Sequence, residues 1–396
     1  MTDHIATPKV VVIGGGYAGT IAANHLRMRS DIDITLVNPR PRFVERIRLH
    51  TFVASARDIT ADYGSLLGKG VRLVVDTADC IDTASRQLRL ASGNTLDYDY
   101  VIYAVGSTGT TPTAVSGAAE FSYPIAELEL ADRLRTAIDK VDSHAPITVV
   151  GGGLTGIETA AELAEQGRTV TLVCGGRLAP TFSEAARRSI AKWLTRNGVT
   201  LLEADVVADV RSDAVVFADG RVRPNAVTVW AAGFGVPELA ARSGLRTDGL
   251  GRLLTDETLT SIDDNRVVAA GDAASPSGEP LRMSCYAAAP LGITAADTVL
   301  SRIAGAEPAP FDMAYVGASV SLGRRSATGQ FTHRDDSPLS WHFGGRTAAF
   351  IKEAACRATL WTIRLEGRRP GTTVWPTGGP RPDSSVSRRL RAASFP

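Results

Sequence analysis

Hydrophobic residues in this chain gather in short continuous runs, the pattern of strands buried on both faces of a parallel sheet. The first run is Val10-Val11-Val12-Ile13. A glycine-rich turn follows it, then helix-like sequence over residues 20–29 and a second run at 32–37. The same order returns at Ile147-Thr148-Val149-Val150, with helix-like sequence over 157–166, a Gly167 stop and a run at 169–173. Two strand-helix-strand units predict an α/β fold with two Rossmann-like domains. Near the C-terminus the period lengthens. Ile351, Ala354, Ala355, Ala358, Trp361 and Leu365 recur at helical spacing, predicting an amphipathic helix over 346–366 with that stripe facing a core.

Both glycine-rich turns carry one spacing. They read Gly14-Gly15-Gly16-Tyr17-Ala18-Gly19 and Gly151-Gly152-Gly153-Leu154-Thr155-Gly156, each between a strand and a helix. In that setting the first glycine permits the tight turn, the second lets backbone approach a pyrophosphate, and the third lets helix pack on strand. The helix N-terminus then offers free N–H groups and the positive end of its dipole to the phosphates. Two such units predict two dinucleotides, one held and one exchanging. Neither unit has the acid that commonly ends the second strand and binds the ribose hydroxyls. Asn38, in the first, can still hydrogen-bond a ribose, whereas Cys174 is a poor replacement. Arg177, just beyond Gly175 and Gly176, would tolerate the 2′-phosphate of NADPH, or is an ordinary surface cation.

Composition narrows the classes. With 43 basic and 42 acidic side chains the formal charge is +1, which gives no argument for nucleic acid as a partner. The four cysteines, Cys80, Cys174, Cys285 and Cys356, form no CxxC or CxxxxC, so neither a zinc cluster nor a redox dithiol is expected, and no metal is assigned. No run of 18 apolar residues appears and no signal peptide is visible, so no membrane span is expected and the cytoplasm is the default. The stretch 367–396 holds six arginines (Arg368, Arg369, Arg381, Arg388, Arg389 and Arg391) against Asp383. Such a tail could meet anionic lipids peripherally at about 1 kcal/mol per basic residue, or it is simply a solvated tail. Nothing in the sequence sets the oligomeric state.

Three further segments carry a family resemblance. The run from Leu96 to Gly109, with Ala104 and Gly106, looks like the strand and glycine turn closing the FAD domain of two-dinucleotide flavoproteins. Val229-Trp230-Ala231-Ala232-Gly233 looks like its counterpart closing the NAD(P)H domain. Val267-Val268-Ala269-Ala270-Gly271-Asp272-Ala273 resembles the element whose carboxylate holds the ribityl chain of FAD. Order and spacing resemble the type II NADH:quinone dehydrogenases and the apoptosis-inducing-factor-like quinone reductases, including ferroptosis suppressor protein, over most of residues 8–365. Ser321-Leu322-Gly323-Arg324-Arg325, with Gly329-Gln330, looks like that subgroup's C-terminal strand.

The resemblance implies a split FAD domain, 1–112 and 236–305, with an NAD(P)H domain at 113–235 inserted in it and a small α+β C-terminal domain at 306–396. It implies FAD as held cofactor, NADH or NADPH as exchanging substrate, and a quinone-like small acceptor. Arg48, in the arginine-rich loop 40–50, is the expected phosphate partner, and Ala78 should meet the adenine through its backbone. His50 in that loop is a packed or surface histidine, or a proton donor. Glu158 either lies near the nicotinamide or the acceptor, or merely complements the helix dipole. Lys352 stands on the C-terminal helix either over the flavin or in solvent. Cys285 and Tyr286 should line the same pocket, on a helix over 281–292 beneath the ring. The chain departs from the family in lacking the Gln that many type II dehydrogenases carry at the quinone site. Two other functions remain open: a flavin oxidase or monooxygenase acting on a small metabolite, and a non-catalytic flavoprotein or NADH sensor.

Overall fold

A computed structural model describes residues 7–110 and 113–379. The chain begins with strand β1 (Lys9–Ile13), helix α1 (Tyr17–His25) and strand β2 (Asp33–Asn38). After a loop carrying the short helix α2 (Leu49–Ser55), strands β3 (Val71–Val75) and β4 (Tyr100–Tyr103) extend the same parallel sheet. β1 and β2 pair in register, Val10 with Ile34 and Val12 with Leu36, so their apolar side chains stack within the layer.

A second parallel sheet repeats the plan. It comprises β5 (Ser122–Pro124), β6 (Pro146–Val150), β7 (Thr169–Val173), β8 (Thr200–Leu202) and β9 (Val227–Trp230), in the order β5-β9-β6-β7-β8. Helix α3 (Leu154–Glu165) joins β6 to β7. The chain then returns: β10 (Val267–Ala269) pairs with β4, giving the first sheet the order β10-β4-β1-β2-β3. Helix α4 (Cys285–Ile303) packs on α1 at close range, because a Cβ at Gly292 would lie 2.4 Å from the Ala18 carbonyl oxygen. The helix expected at 281–292 starts only at Cys285. Ser284 caps it, its hydroxyl accepting from the Ala287 N–H at 3.3 Å.

The C-terminal part is an antiparallel sheet of β11 (Gly317–Ser321), β12 (Ala327–Thr332) and β13 (Pro338–Gly344), followed by helix α5 (Gly345–Arg368). The length of α5 agrees with its apolar spacing, but its orientation is reversed. Ala348, Cys356, Ile363 and Glu366 are buried, while Ile351 is 46% exposed and Trp361 62% exposed. Ile351, expected in the core, therefore faces outward, and Lys352 on the adjoining face turns inward.

A buried polar clasp joins α5 to the first sheet's helices. His25 Nδ1 meets Glu366 Oε1 at 2.6 Å and Nε2 meets Asp297 Oδ1 at 2.9 Å. Glu366 also accepts from the Thr373 hydroxyl at 2.7 Å. Burial alone would lower the His25 pKa, but its bonds to Asp297 and Glu366 outweigh that and raise it from 6.5 to about 9. A raised pKa means stability that is complete below pH 6.5 and is lost as pH climbs through about 9. The contribution is about 3 kcal/mol at most. Thermal unfolding followed across that window should show a falling midpoint, and His25→Gln should flatten the fall. An equal slope in both proteins would assign it to other groups.

Candidate active site

The first glycine turn separates two roles that sequence alone merges. Gly14 has φ +103°, and a Cβ there would lie 2.3 Å from the Ala104 carbonyl oxygen, so the fold itself requires glycine. Gly19 is equally tight against the Gly14 carbonyl. Gly16 differs. Its φ is −76°, open to any residue, and nothing lies within 4 Å of the Cβ position. The fold leaves an empty cradle at the N-terminus of α1, the shape an anionic group needs. Beside it the Tyr17 hydroxyl is buried without a hydrogen bond, Ile47 giving only a weak backbone contact. A buried hydroxyl without a partner fits a site completed by a ligand.

Asn38 does not stand free at the strand end. Its Oδ1 accepts from the Gly15 N–H at 2.9 Å and its Nδ2 donates to the Arg40 carbonyl at 2.7 Å, so it braces the glycine loop. Arg48 is also committed elsewhere. It forms a two-point ion pair with Glu353 of α5 at 2.9 and 3.1 Å, and a third contact with Glu45. Arg46 is instead the arginine turned toward this site. It donates to the Ala126 carbonyl, and its Nη1 lies 3.5 Å from where a Gly106 Cβ would stand. Burial works against its charge, with Asp272 the leading attraction opposing that loss. Asp272 follows β10 and accepts from the Ser107 hydroxyl at 2.7 Å and the Ser284 N–H at 3.2 Å. A Cβ at Gly271 would lie 2.9 Å from the Ala18 Cβ, so this turn packs closely on α1. Ala78 opens the strand Ala78–Asp82, the outer strand of a separate three-stranded antiparallel sheet.

The second turn repeats the first. Gly151 has φ +128° and a Cβ there would clash with Ala231, a Cβ at Gly156 would clash with the Gly151 carbonyl, and at Gly153, with φ −77°, a Cβ would meet nothing within 4 Å. Leu154 and Thr155 open α3 above the second cradle. Gly233, with φ +81°, lines a small hollow between the sheets with Thr110. Cys174 lies against Gly152, and burial pushes its thiol up to about 12. Arg177 is exposed, 3.7 Å from Glu184.

Four elements converge on a polar cluster between the halves. Glu158 of α3 lies 3.1 Å from Lys352 Nζ of α5 and 3.4 Å from His50 Nδ1 of α2, and accepts from the Ser321 N–H of β11 at 3.0 Å. Lys352 Nζ also donates to the Ser319 carbonyl at 3.2 Å. Burial raises the Glu158 carboxyl, but Lys352 and His50 outweigh it and hold the group below its usual range. Burial likewise opposes the charge on Lys352, and Glu158 overcomes it, so the amine titrates above the usual lysine range. His50 is pushed down, chiefly by burial, and is neutral at pH 7. Lys352 is turned inward and not into solvent, and His50, whose role was open, lies on the other side of Glu158.

Cys285 heads α4, within the field of Lys352 and Asp272. Burial pushes its thiol up to about 11, which makes it no nucleophile at neutral pH. Tyr286 turns away, its hydroxyl donating to the Ala314 carbonyl at 3.0 Å and its ring stacked on Tyr315. Neither Cys285 nor Tyr286 lines the cavity beside Lys352, although Cys285 lies within electrostatic reach of the amine.

The sequence profile of the family described as pyridine nucleotide-disulphide oxidoreductase matches residues 8–292. An NADH dehydrogenase-like protein of Mycobacterium tuberculosis is 31% identical over 325 residues, 74% of this chain and 80% of that protein. A type II NADH:quinone oxidoreductase of Staphylococcus aureus is 26% identical, covering 90% of this chain and 96% of its own. Among solved structures, the sulfide:quinone oxidoreductase of Aquifex aeolicus superposes with a TM-score of 0.78 at 19% identity, covering 92% of this chain and 93% of that one. NDH2 of Plasmodium falciparum gives 0.75 at 15%, covering 93% and 99%. At such identities the structural matches speak for the fold.

Proposed function

This chain belongs to the pyridine nucleotide-disulphide oxidoreductase family, an FAD-dependent class of NAD(P)H dehydrogenase, and from that premise we propose that it reduces a quinone or similar small organic acceptor. The balance is NAD(P)H, H⁺ and quinone giving NAD(P)⁺ and hydroquinone. FAD, when bound, accepts the hydride and passes two electrons onward. The observation that carries the reading is the doubled cradle: at Gly16 and Gly153 neither φ nor packing calls for glycine, and each faces an open helix N-terminus.

The remaining roles fall to the chain's own residues. The turn Gly14–Gly19 and Arg46 would hold the FAD pyrophosphate, Asp272 the ribityl hydroxyls and Ala78 the adenine. The turn from Gly151 to Gly156, with Gly233, would hold NAD(P)H. Lys352 stays protonated at neutral pH, so its part is a fixed positive charge toward negative charge developing on the acceptor. Glu158 orients that charge, and neutral His50 can take up and return a proton. The family's disulphide chemistry does not extend here by sequence, since no paired-cysteine motif is present and all four thiols are free. Initial rates with NADH and menadione test the reading. Parallel double-reciprocal lines are expected, and no menadione-dependent NADH oxidation would overturn it.

Nucleotide choice rests on the end of β7. Cys174→Glu should move the ratio of NADH to NADPH efficiency at least fivefold toward NADH, about 1 kcal/mol, because a carboxylate repels the 2′-phosphate. An unchanged ratio would place the choice on other residues.

Among the described residues no helix is long and apolar enough to cross a membrane. The antiparallel sheet and the outward side of α5 each expose large apolar side chains. Phe331 stacks on Trp341 at 5.2 Å, and Phe350 is 76% exposed nearby in sequence at the start of α5. We propose peripheral contact with a membrane surface through this patch. The basic tail also considered for that contact lies largely in 380–396, outside the described residues. Trp341→Ser with Phe350→Ser should at least halve co-sedimentation with phosphatidylglycerol vesicles, and unchanged co-sedimentation would reject the patch.

A further inference from the structure

The Lys352 cluster opens into a cavity of about 200 Å³ between α2, the turn joining β11 to β12, and α5. Its lining is strongly polar. Arg48, Arg57, Arg324, Lys352 and Arg357 face it against two carboxylates, Glu162 and Glu353. Those carboxylates are already shared out. Glu353 serves Arg48 at 2.9 and 3.1 Å and Arg357 at 2.8 Å. Glu162 lies 3.4 Å from Arg324. Arg57 is exposed at the mouth and has no ion-pair partner among the described residues. Arg324 is partly open to solvent, so its guanidinium retains donors for an incoming group.

Scattered surface arginines are ordinary. Here they ring one cavity whose inner wall holds Lys352 and His50. Guanidinium offers a planar fork that matches carboxylate or sulfonate oxygens, and it is the cation best suited to such a group. A cavity of this size suits one or two fused rings, and its polar wall suits a hydrophilic ring substituent better than an isoprenoid chain.

We propose that this cavity takes a compact aromatic acceptor bearing an anionic substituent, with Arg57 and Arg324 holding the anion at the mouth and the reducible carbonyl directed toward Lys352. This rests on the acceptor-reductase reading above and specifies its substrate class. A phosphate of the nicotinamide nucleotide is the other source of the same charge, and the test separates the two.

The holoenzyme is titrated by calorimetry with 2-naphthalenesulfonate, which cannot be reduced. Binding is expected to weaken at least tenfold in Arg57→Gln/Arg324→Gln, to weaken with added salt, and to be largely kept in Arg57→Lys. In turnover, the KM ratio of 1,2-naphthoquinone-4-sulfonate to menadione should rise at least tenfold in the double variant while the KM for NADH stays put. No binding, or equal binding by wild type and variant, overturns the proposal. A matching rise in the KM for NADH overturns it too, assigning the arginines to the nucleotide. Binding without turnover of either quinone leaves the anion site standing and removes the quinone reading instead.

Discussion

Gly16→Val yields a folded, colourless protein. The valine meets no protein atom, since nothing lies within 4 Å of the Cβ position and φ is an ordinary −76°. It does fill the cradle at the N-terminus of α1 where the FAD pyrophosphate would sit. Loss of close backbone approach and steric exclusion together should cut FAD occupancy at least tenfold, about 1.4 kcal/mol or more. Gly14→Val makes the contrast, because strain at φ +103° and a 2.3 Å clash with Ala104 should prevent folding altogether. Flavin absorbance and circular dichroism of the two purified variants read the difference. A yellow Gly16→Val protein would remove the cradle from the FAD site.

Lys352→Met keeps FAD and turns over at least tenfold more slowly, about 1.4 kcal/mol of transition-state stabilisation. The methionine matches the lysine stem in bulk but carries no charge. It leaves Glu158 buried beside neutral His50, so the Glu158 carboxyl rises toward neutrality and the pH profile of kcat shifts upward. Lost pairing also costs stability, since removing one member of a buried pair strands the other. The double variant Lys352→Met/Glu158→Gln distinguishes the two effects. If the pair acts as one unit, the double variant is no slower than the single and recovers part of the lost stability. Full turnover in Lys352→Met with flavin saturated would put the charge outside the reaction and move attention to Glu158 and His50.

Legibility of the fold follows how local each rule is. The strand-turn-helix units and their glycines were plain in the sequence because a buried parallel strand and a tight turn are set by neighbouring residues. The return of the chain at β10 and the Gly271-Asp272 turn were legible only through resemblance. What failed was set by tertiary packing. Arg46 and Arg48 lie two residues apart in one loop, and nothing local says which one Glu353 will claim. The spacing on α5 gave the helix but not its buried side, because Lys352, Cys356 and Glu366 pack inward through ion pairs and small contacts while Ile351 and Trp361 stay outside. Asn38 sits where a ribose ligand was expected, and its amide is turned onto the Gly15 and Arg40 backbone. His50 stood open between packing and proton transfer in the sequence, since a lone histidine marks a site only once Glu158 and Lys352 are seen beside it.

The central claim is that this chain carries electrons from a nicotinamide nucleotide through bound FAD to a small acceptor. Anaerobic titration of the purified holoenzyme tests it most directly. One equivalent of NADH or NADPH should bleach the flavin absorbance near 450 nm, and one equivalent of menadione should then restore it in full. A flavin that neither nucleotide bleaches, or that stays bleached after menadione, would contradict the account.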